Sequence, residues 1–433
     1  MKKINFLLLL ALSALLVNYS CNNENGNENE NLPEETVSDL TPEEHKQNLQ
    51  DEAIAFIDDM DPIRDADAID VLIHFVEIAE DGNGLKSTQL ENVIIGQVIQ
   101  MKDKPANAVH FKSGLAEDGP DSFSEMFDEI KGEYTYNAID KNWTKEEHDT
   151  EMIVHFPASA DAAANNAEFR IYDFTYELAS RQDIEGFTLE LINSLKMDLK
   201  VDGSSVMSFV FSGEYYDDTT PKLITEVLTI GSYSWEHSIN FTDKTKLLAN
   251  TSMKNGDNAI WSAAIESEGN FDYDNIKENI TDEEGDEHNI PNIFSNAKAS
   301  FTIENIMAEA EITNFSNLID GIDEAEAIED EEASYNTLAE VLNENVSVVI
   351  KYAEQNEVIA TGEFYAFSDQ EYNYWTEQDE TYYDISFRMI FSDDSYMDDS
   401  YFENGFSGLI DRLNELISSM NNDYDLDMEP VEE

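Results

Sequence analysis

Residues 232–242 alternate without a break. Tyr233, Trp235, His237, Ile239 and Phe241 fall on one side, and Ser232, Ser234, Glu236, Ser238, Asn240 and Thr242 on the other. A period of two predicts a strand with one covered and one wetted face. The same period runs through Leu195, Met197, Leu199 and Val201, which alternate with Lys196, Asp198 and Lys200. Asp202-Gly203 then predicts a tight hairpin turn. The return strand carries Met207, Phe209, Phe211 and Tyr215 on one face, with Ser208 and Ser212 opposite. Tyr383, Ile385, Phe387, Met389 and Phe391 repeat the pattern.

Both ends of the chain follow the helical period instead. Thr41 reads as a cap, with Pro42 at the first helical position and Glu44 completing a capping box. Leu49, Ala53, Phe56, Ile57 and Met60 make its apolar face, and Asp61-Pro62 ends it. Ile69, Leu72 and Val76 predict a second helix over residues 65–80, and a third helix or a strand is expected near 88–102. At the other end Phe402, Phe406, Leu409, Ile410, Leu413, Leu416, Ile417 and Met420 form an amphipathic helix.

These patterns give an α+β fold: mainly antiparallel β, as a broad curved sheet, half-barrel or sandwich, with N-terminal helices and a C-terminal amphipathic helix. The expected division is a mostly helical region 41–130, an antiparallel region 131–316, an acidic helical or loose insertion 317–344, a second β region 345–400, the helix 401–420 and an acidic tail 421–433. "LKVDGSSVMSFVFSGEYY" (199–216) parallels "IKYAEQNEVIATGEFY" (350–365), by internal repetition or by convergence of two hairpins.

The first 40 residues follow another logic. Lys2 and Lys3 precede the apolar run Phe6–Val17, which is too short to span a bilayer and fits a signal peptide over 1–20. Ser20 then precedes Cys21, the single cysteine of the chain. Either ordinary secretory cleavage or lipoprotein cleavage before Cys21 fits this layout. A lone cysteine cannot close an internal disulfide, and acylation accounts for it at a mature N-terminus. Residues 21–40 read as an acidic flexible tether, averaging ~25 Å end to end.

Charge bears on partners. Asp and Glu number 94 against 24 Lys and Arg, a formal net charge of −70. That field repels phosphate backbones and argues against nucleic acid. With 11% aromatic residues in alternating patterns, the chain reads as folded with an acidic surface, an adaptation to salt or a loose attraction for cations.

The leader, the Ser-Cys pair and the Asn/Glu-rich stretch "CNNENGNENEN" resemble bacterial lipoproteins, particularly those of the Bacteroidetes; residues 132–177 carry a similar resemblance. It implies a lipid anchor on Cys21 and an outer-membrane location, on the periplasmic or the surface side; secretion is the alternative. No activity comes with it. An apolar sheet face beneath helices also resembles, in architecture, the half-barrel lipoprotein carriers that hold a lipid.

Catalytic motifs are lacking. No G-x-S-x-G, phosphate loop or dinucleotide fingerprint occurs. Of the seven histidines, His148 and His155 are close in sequence but lack metal-site spacing, while His74 and His237 fall in apolar patterns and read as packed, hydrogen-bonded residues. "AEDGNGLKSTQLEN" (79–92) fails as a calcium loop, because Ala79, Lys86 and Leu90 occupy ligand-bearing or adjoining loop positions. The acidic runs 282–289 and 423–429 read as solvated, with weak divalent-cation binding as their only chemistry, so no cofactor is expected. Asp218-Thr219-Thr220 resembles the O-glycosylation acceptor of the same bacteria, placing Thr219 as a candidate in a loop. The expected function is a non-catalytic binding or structural module of the envelope, with a lipid, glycan or peptide ligand. The alternatives are a polysaccharide hydrolase using a carboxylate pair, and an accessory subunit with an envelope protein partner.

Overall fold

The computed structural model describes residues 36–81, 123–182, 188–280, 289–373, 378–398 and 406–424. Their strands join in one open, mostly antiparallel sheet of 17 strands. The first strands are β1 (Thr36–Val37), β2 (Gly132–Asn137), β3 (Asn142–Glu146), β4 (Met152–Phe156), β5 (Ala167–Gln182) and β6 (Thr188–Val201). β7 (Ser204–Tyr215), β8 (Pro221–Ile230), β9 (Tyr233–Thr242), β10 (Lys246–Asn255), β11 (Asn258–Gly269), β12 (Phe294–Ile303) and β13 (Ile306–Ile312) follow. β14 (Val346–Tyr352), β15 (Glu357–Asn373), β16 (Gln378–Phe391) and β17 (Tyr396–Met397) complete it. From β4 to β16 each strand pairs antiparallel with the next in sequence. β2 lies between β3 and a parallel β4, and β1 runs parallel to the start of β15. The two β regions expected from sequence are therefore parts of one sheet, and no second sheet makes a sandwich among the described residues.

The tight turns follow local chemistry. Asp202 and Gly203 both take positive φ, 51° and 80°, as the two-residue hairpin between β6 and β7 requires. The two stretches with similar sequences share two local features. Glu214 pairs with Lys222 on the following strand at 2.8 Å, and Glu363 with Arg388 on its following strand at 2.6 Å. Gly213 and Gly362 each occupy a place with no room for a side chain: a Cβ would run into the Ile192 carbonyl oxygen in one and the Phe387 ring in the other.

The helices are α1 (Pro42–Met60), α2 (Asp67–Asp81), α3 (Phe123–Ile130), α4 (Tyr273–Ile280), α5 (Ile290–Ile293), α6 (Phe315–Glu326), α7 (Glu331–Asn345) and α8 (Ser407–Tyr424). Thr41 and Glu44 form the reciprocal capping box at the start of α1, and a 3₁₀ turn, Asp61–Asp65, follows its end. Each helix contributing to an apolar cluster packs on the same face of the sheet, hereafter the covered face. Phe75 of α2 meets Phe156 and Phe169, and Phe271, leading into α4, meets Phe241. Phe56 and Met60 of α1, with Ile63 from the 3₁₀ turn, pack with Tyr233, Trp235, Met253, Ile260 and Trp261. Leu318, Ile322 and Leu338 of α6 and α7 pack with Ile385 and Phe364. Among the described residues no helix is long and apolar enough to cross a membrane.

Two boundaries differ from expectation, and one open alternative is decided. Part of the stretch read as tether is structured: β1 joins β15, and Ser38 is buried with its N–H donating to the Val358 carbonyl at 3.0 Å. Of the two readings of 317–344, the helical one holds: the stretch falls in α6 and α7, which cover β14–β16. The C-terminal helix starts at Ser407 and runs to Tyr424, past the expected end. The element expected near 88–102 lies outside the described residues.

Candidate functional site

In β8, Ile224, Glu226, Leu228 and Ile230 share the covered face, so one carboxylate stands where the pattern calls for an apolar residue. Directly opposed residues of antiparallel strands point to the same face, which makes each row of partners a strip across the sheet. The row through Glu226 runs Phe211, Glu226, His237, Thr251, Ala263, Phe301, Ala308 and Ile350. On one side of it lie Leu228, Trp235, Met253 and Trp261, the last three packed with α1. On the other lie Ile224, Ile239, Ala249 and Ile265, part of the main core. Three polar side chains thus form a short seam between two apolar clusters.

His237 and Thr251 satisfy one another, with Nδ1 and Oγ1 2.8 Å apart; the imidazole tautomer decides which of them donates. Glu226 is 7% exposed, and among the described residues its carboxyl has no hydrogen bond or ion pair. Burial pushes it up to about 7. Beside it, Tyr215 donates its phenolic hydrogen to the Ile192 carbonyl at 3.0 Å, and burial together with the charges of Glu177 and Glu226 pushes that hydroxyl upward too. The basic residues of the neighbouring strands serve the opposite face. Lys254 pairs there with Glu236 at 2.6 Å, Lys298 with Glu309 at 2.9 Å, and Lys196 with Asp173 at 2.7 Å.

On β12 and β13 the covered face is less tightly packed, although Thr251 and Ala263, between Glu226 and Phe301, are buried. Ala299, Ala308 and Ala310 are half-buried there, and Phe301 is 46% exposed. Their small side chains leave a shallow apolar strip between the part of the face under α1 and α8 and the part under α6 and α7.

A second carboxyl is displaced as strongly. Glu304, in the β12–β13 turn, is pushed up to about 7 by burial and by the charges of Asp59 and Glu52 on α1, and its Oε1 is buried without a partner. It lies beyond Ile303, next to the row through Leu228 and four strands from β8. At a strand spacing of ~4.8 Å that is ~19 Å from Glu226, far wider than the ~5–9.5 Å at which two carboxyls share a glycosidic bond.

The residues singled out from sequence are dispersed. Cys21 lies outside the described residues, as do His110, His288 and most of the acidic runs 282–289 and 423–429. Thr219 does occupy a turn, between β7 and β8, but it is 8% exposed and takes a φ of 77°. Asp218 holds this turn closed, accepting from Lys244 at 2.6 Å and from the Thr220 hydroxyl at 3.0 Å. The loop expected at Thr219 is therefore present, as a closed turn in which this residue is largely buried. His148 accepts from the Glu151 N–H at 3.2 Å, while His155 faces Glu133 at 3.1 Å. Among the described residues no three or more His, Cys, Asp or Glu gather as a metal centre. His237 is packed and hydrogen-bonded as its pattern suggests. Glu226 was missed, although its signal is in the sequence: an acid at an inward position between Ile224 and Leu228. No family model, curated protein or solved structure matches this chain.

Proposed function

We propose that this protein is a lipid-anchored, non-catalytic binding module of the bacterial envelope, and that its ligand lies on the covered face beside Glu226. The observation that carries this reading is Glu226, an acid 7% exposed on an apolar face with no hydrogen bond or ion pair to another described residue. A buried polar group without a partner is a standing penalty for the free fold, and a ligand that satisfies it recovers the loss. An apolar strip with a few convergent polar groups is also the usual composition of a small-molecule site. The wide separation of Glu226 and Glu304 supports this reading over a two-carboxylate hydrolase. The anchor is assigned to Cys21, 15 residues before β1 starts at Thr36.

Two measurements test the proposal together. The full chain is expressed in a Gram-negative host and its envelope fractionated, with Cys21→Ala alongside. The native chain is expected in the membrane fraction with an acylated N-terminal peptide, and the variant in the soluble fraction; equal partitioning of the two would remove the anchor. Organic extraction of the purified chain, followed by mass spectrometry, is expected to release a small amphiphile in near-stoichiometric amount. An extract without one, together with no binding of added amphiphiles, would remove the binding role.

A further inference from the structure

The two edges of the sheet are protected unequally. At one edge β3 is 5 residues long and carries Lys145. Short strands and lysines are the usual means of blunting an edge. At the other edge β17 pairs with β16 only at Met389 and Ile390. From Thr381 to Phe387 no strand among the described residues continues the ladder beyond β16. That stretch runs ~20 Å at ~3.4 Å per residue, room for a strand of ordinary length. It contains no proline or lysine, and no bulge interrupts its register with β15.

Neighbouring bonds fix which peptide groups face this edge. In an antiparallel ladder successive residues turn their N–H and C=O alternately to the two flanking strands. Phe391 donates its N–H to the Ser395 carbonyl at 2.9 Å, on the β17 side. Phe364, opposite Phe387 on β15, faces the other way: its N–H donates to the Asn343 side chain at 2.8 Å, and its carbonyl accepts from the same amide at 2.7 Å. Both bonds give the same parity, so Thr381, Tyr383, Ile385 and Phe387 direct their peptide groups outward from β16. One outward donor is held by its own neighbour, since the Ile385 N–H donates to the Asp384 carboxylate at 2.8 Å. Tyr383 and Phe387 face no strand among the described residues.

The surroundings of the edge are acidic. Asp384 lies on it, Tyr382 donates to Asp369 at 3.2 Å, and Tyr383 donates to Glu332 of α7 at 3.3 Å. Desolvation, and then the charges of Glu332, Asp330 and Glu331, push the Tyr383 hydroxyl upward. Arg388, the cation at the end of this stretch, is paired with Glu363 at 2.6 Å and packs on the rings of Tyr365 and Tyr396. An open edge in an acidic field fits a strand that brings positive charge. We propose that the Thr381–Phe387 edge of β16 docks an extended, lysine- or arginine-bearing segment of a partner protein, which continues the sheet as a further strand. Main-chain bonds to Tyr383, Ile385 and Phe387 hold the segment, and its basic side chains pair with Asp384 and Asp369. The Asp384 carboxylate then exchanges the Ile385 N–H for a cation and frees that donor for the ladder. A second copy of this chain is the poorer occupant, because it brings a net charge of −70 to a like charge. The edge is separate from Glu226, which lies on β8.

The test uses the full chain and three synthetic peptides of about eight residues. One alternates lysine with valine, the second has glutamate in place of lysine, and the third is the lysine peptide with its backbone nitrogens methylated, so that neither of its edges can join a ladder. Calorimetry in about 0.15 M salt is expected to show the first binding roughly tenfold tighter than either of the others. Hydrogen exchange is expected to slow at Tyr383 and Phe387 in that complex, and not along β3. Thr381→Pro removes an outward N–H at an exposed edge position, where proline is tolerated, and is expected to weaken the lysine peptide roughly fivefold. Asp384→Lys is expected to cut the lysine peptide's advantage over the glutamate peptide by a similar factor, with unfolding curves confirming that both variants fold. Equal binding of the methylated peptide would refute the added strand, leaving surface attraction alone. Equal binding of the lysine and glutamate peptides would refute the basic partner. Dimers of the chain alone in about 0.5 M salt, with the same amides protected, would put a second copy in the partner's place. If none of the peptides binds, the edge is not a docking site, and the ligand beside Glu226 is untouched by that result.

Discussion

A single carboxylate in an apolar row has consequences for stability that a surface acid does not. In the folded chain burial raises Glu226 from an ordinary value of 4.5 to about 7. Below pH 4.5 the group is neutral folded or unfolded and carries no penalty. As pH rises from 4.5 through 7, the unfolded chain releases its proton readily and the folded chain does not, so stability is lost across that window. With 1.36 kcal/mol per pKa unit the loss is on the order of 3 kcal/mol. Glu226→Leu removes it, since an apolar side chain suits the neighbours Ile224, Leu228 and Phe211. Urea unfolding at about pH 4.5 and pH 8.5 is expected to show the Leu variant gaining on the native chain by this amount at the higher pH. The difference between the two proteins isolates Glu226 because every other acid titrates in both. An equal pH dependence would mean that the carboxyl is solvated or paired. A chain that keeps an acid where leucine is more stable is retaining it for a reason other than folding, as a binding group would be.

At the scale of elements, α1 shows what a sequence reveals and what it conceals. Its cap, its start and its apolar face were legible: Leu49, Phe56, Ile57 and Met60 all pack as the helical period requires. His45 was not legible, because an imidazole near a helix start reads as surface. Here it is buried, its Nδ1 3.0 Å from the Tyr352 hydroxyl and its ring stacked on Phe391. The strands were legible for the same reason as the helix, since one covered face and one wetted face impose alternation. Their union was not. Each hairpin is a local instruction, but a parallel β2–β4 pair and a β1–β15 pair join residues far apart in sequence, and no local period encodes them. The site was hidden in the same way, since Glu226, His237 and Thr251 come side by side only after the registers of two strand pairs are set.

The two ends of α1 respond oppositely to pH. At the first end, desolvation lowers His45 despite the nearby charges of Glu44 and Glu357. The stability it confers is present above about 6.5 and is lost as pH falls through its depressed folded value. At the other end, Glu304 is raised by burial and then by Asp59 and Glu52. Its contribution is full below about 4.5 and is lost as pH rises through 7. Hydrogen exchange is expected to show the Phe56–Met60 end of α1 opening more readily above pH 7 and the His45 end opening more readily in acid. Glu304→Gln is expected to flatten only the alkaline response, and His45→Phe only the acidic one. Uniform exchange along α1 at every pH would show that the helix docks as one unit, indifferent to these groups.

Over the whole molecule, one sheet of 17 strands keeps its apolar residues on a single face and places many of its lysines and arginines on the other, in cross-strand pairs with acids. Such exposed or half-exposed pairs contribute roughly 0–1 kcal/mol each, and salt weakens them. Against them stands a net charge of −70, for which no internal partner exists. Each excess acid repels many others at distances where screening is strong: the Debye length falls from ~30 Å at 0.01 M to ~3 Å at 1 M salt. The two effects have opposite signs, and number decides between them. With 24 basic residues at most 24 acids can be paired one to one, which leaves 70 of the 94 acting only through repulsion. Raising sodium chloride from about 0.05 M to 1 M is therefore expected to raise the melting temperature by several degrees, with most of the gain at the low end, where the screening length is longest. Calorimetry of the full chain checks this. A melting temperature that falls with salt would mean that the ion pairs on the open face outweigh the field of the whole chain.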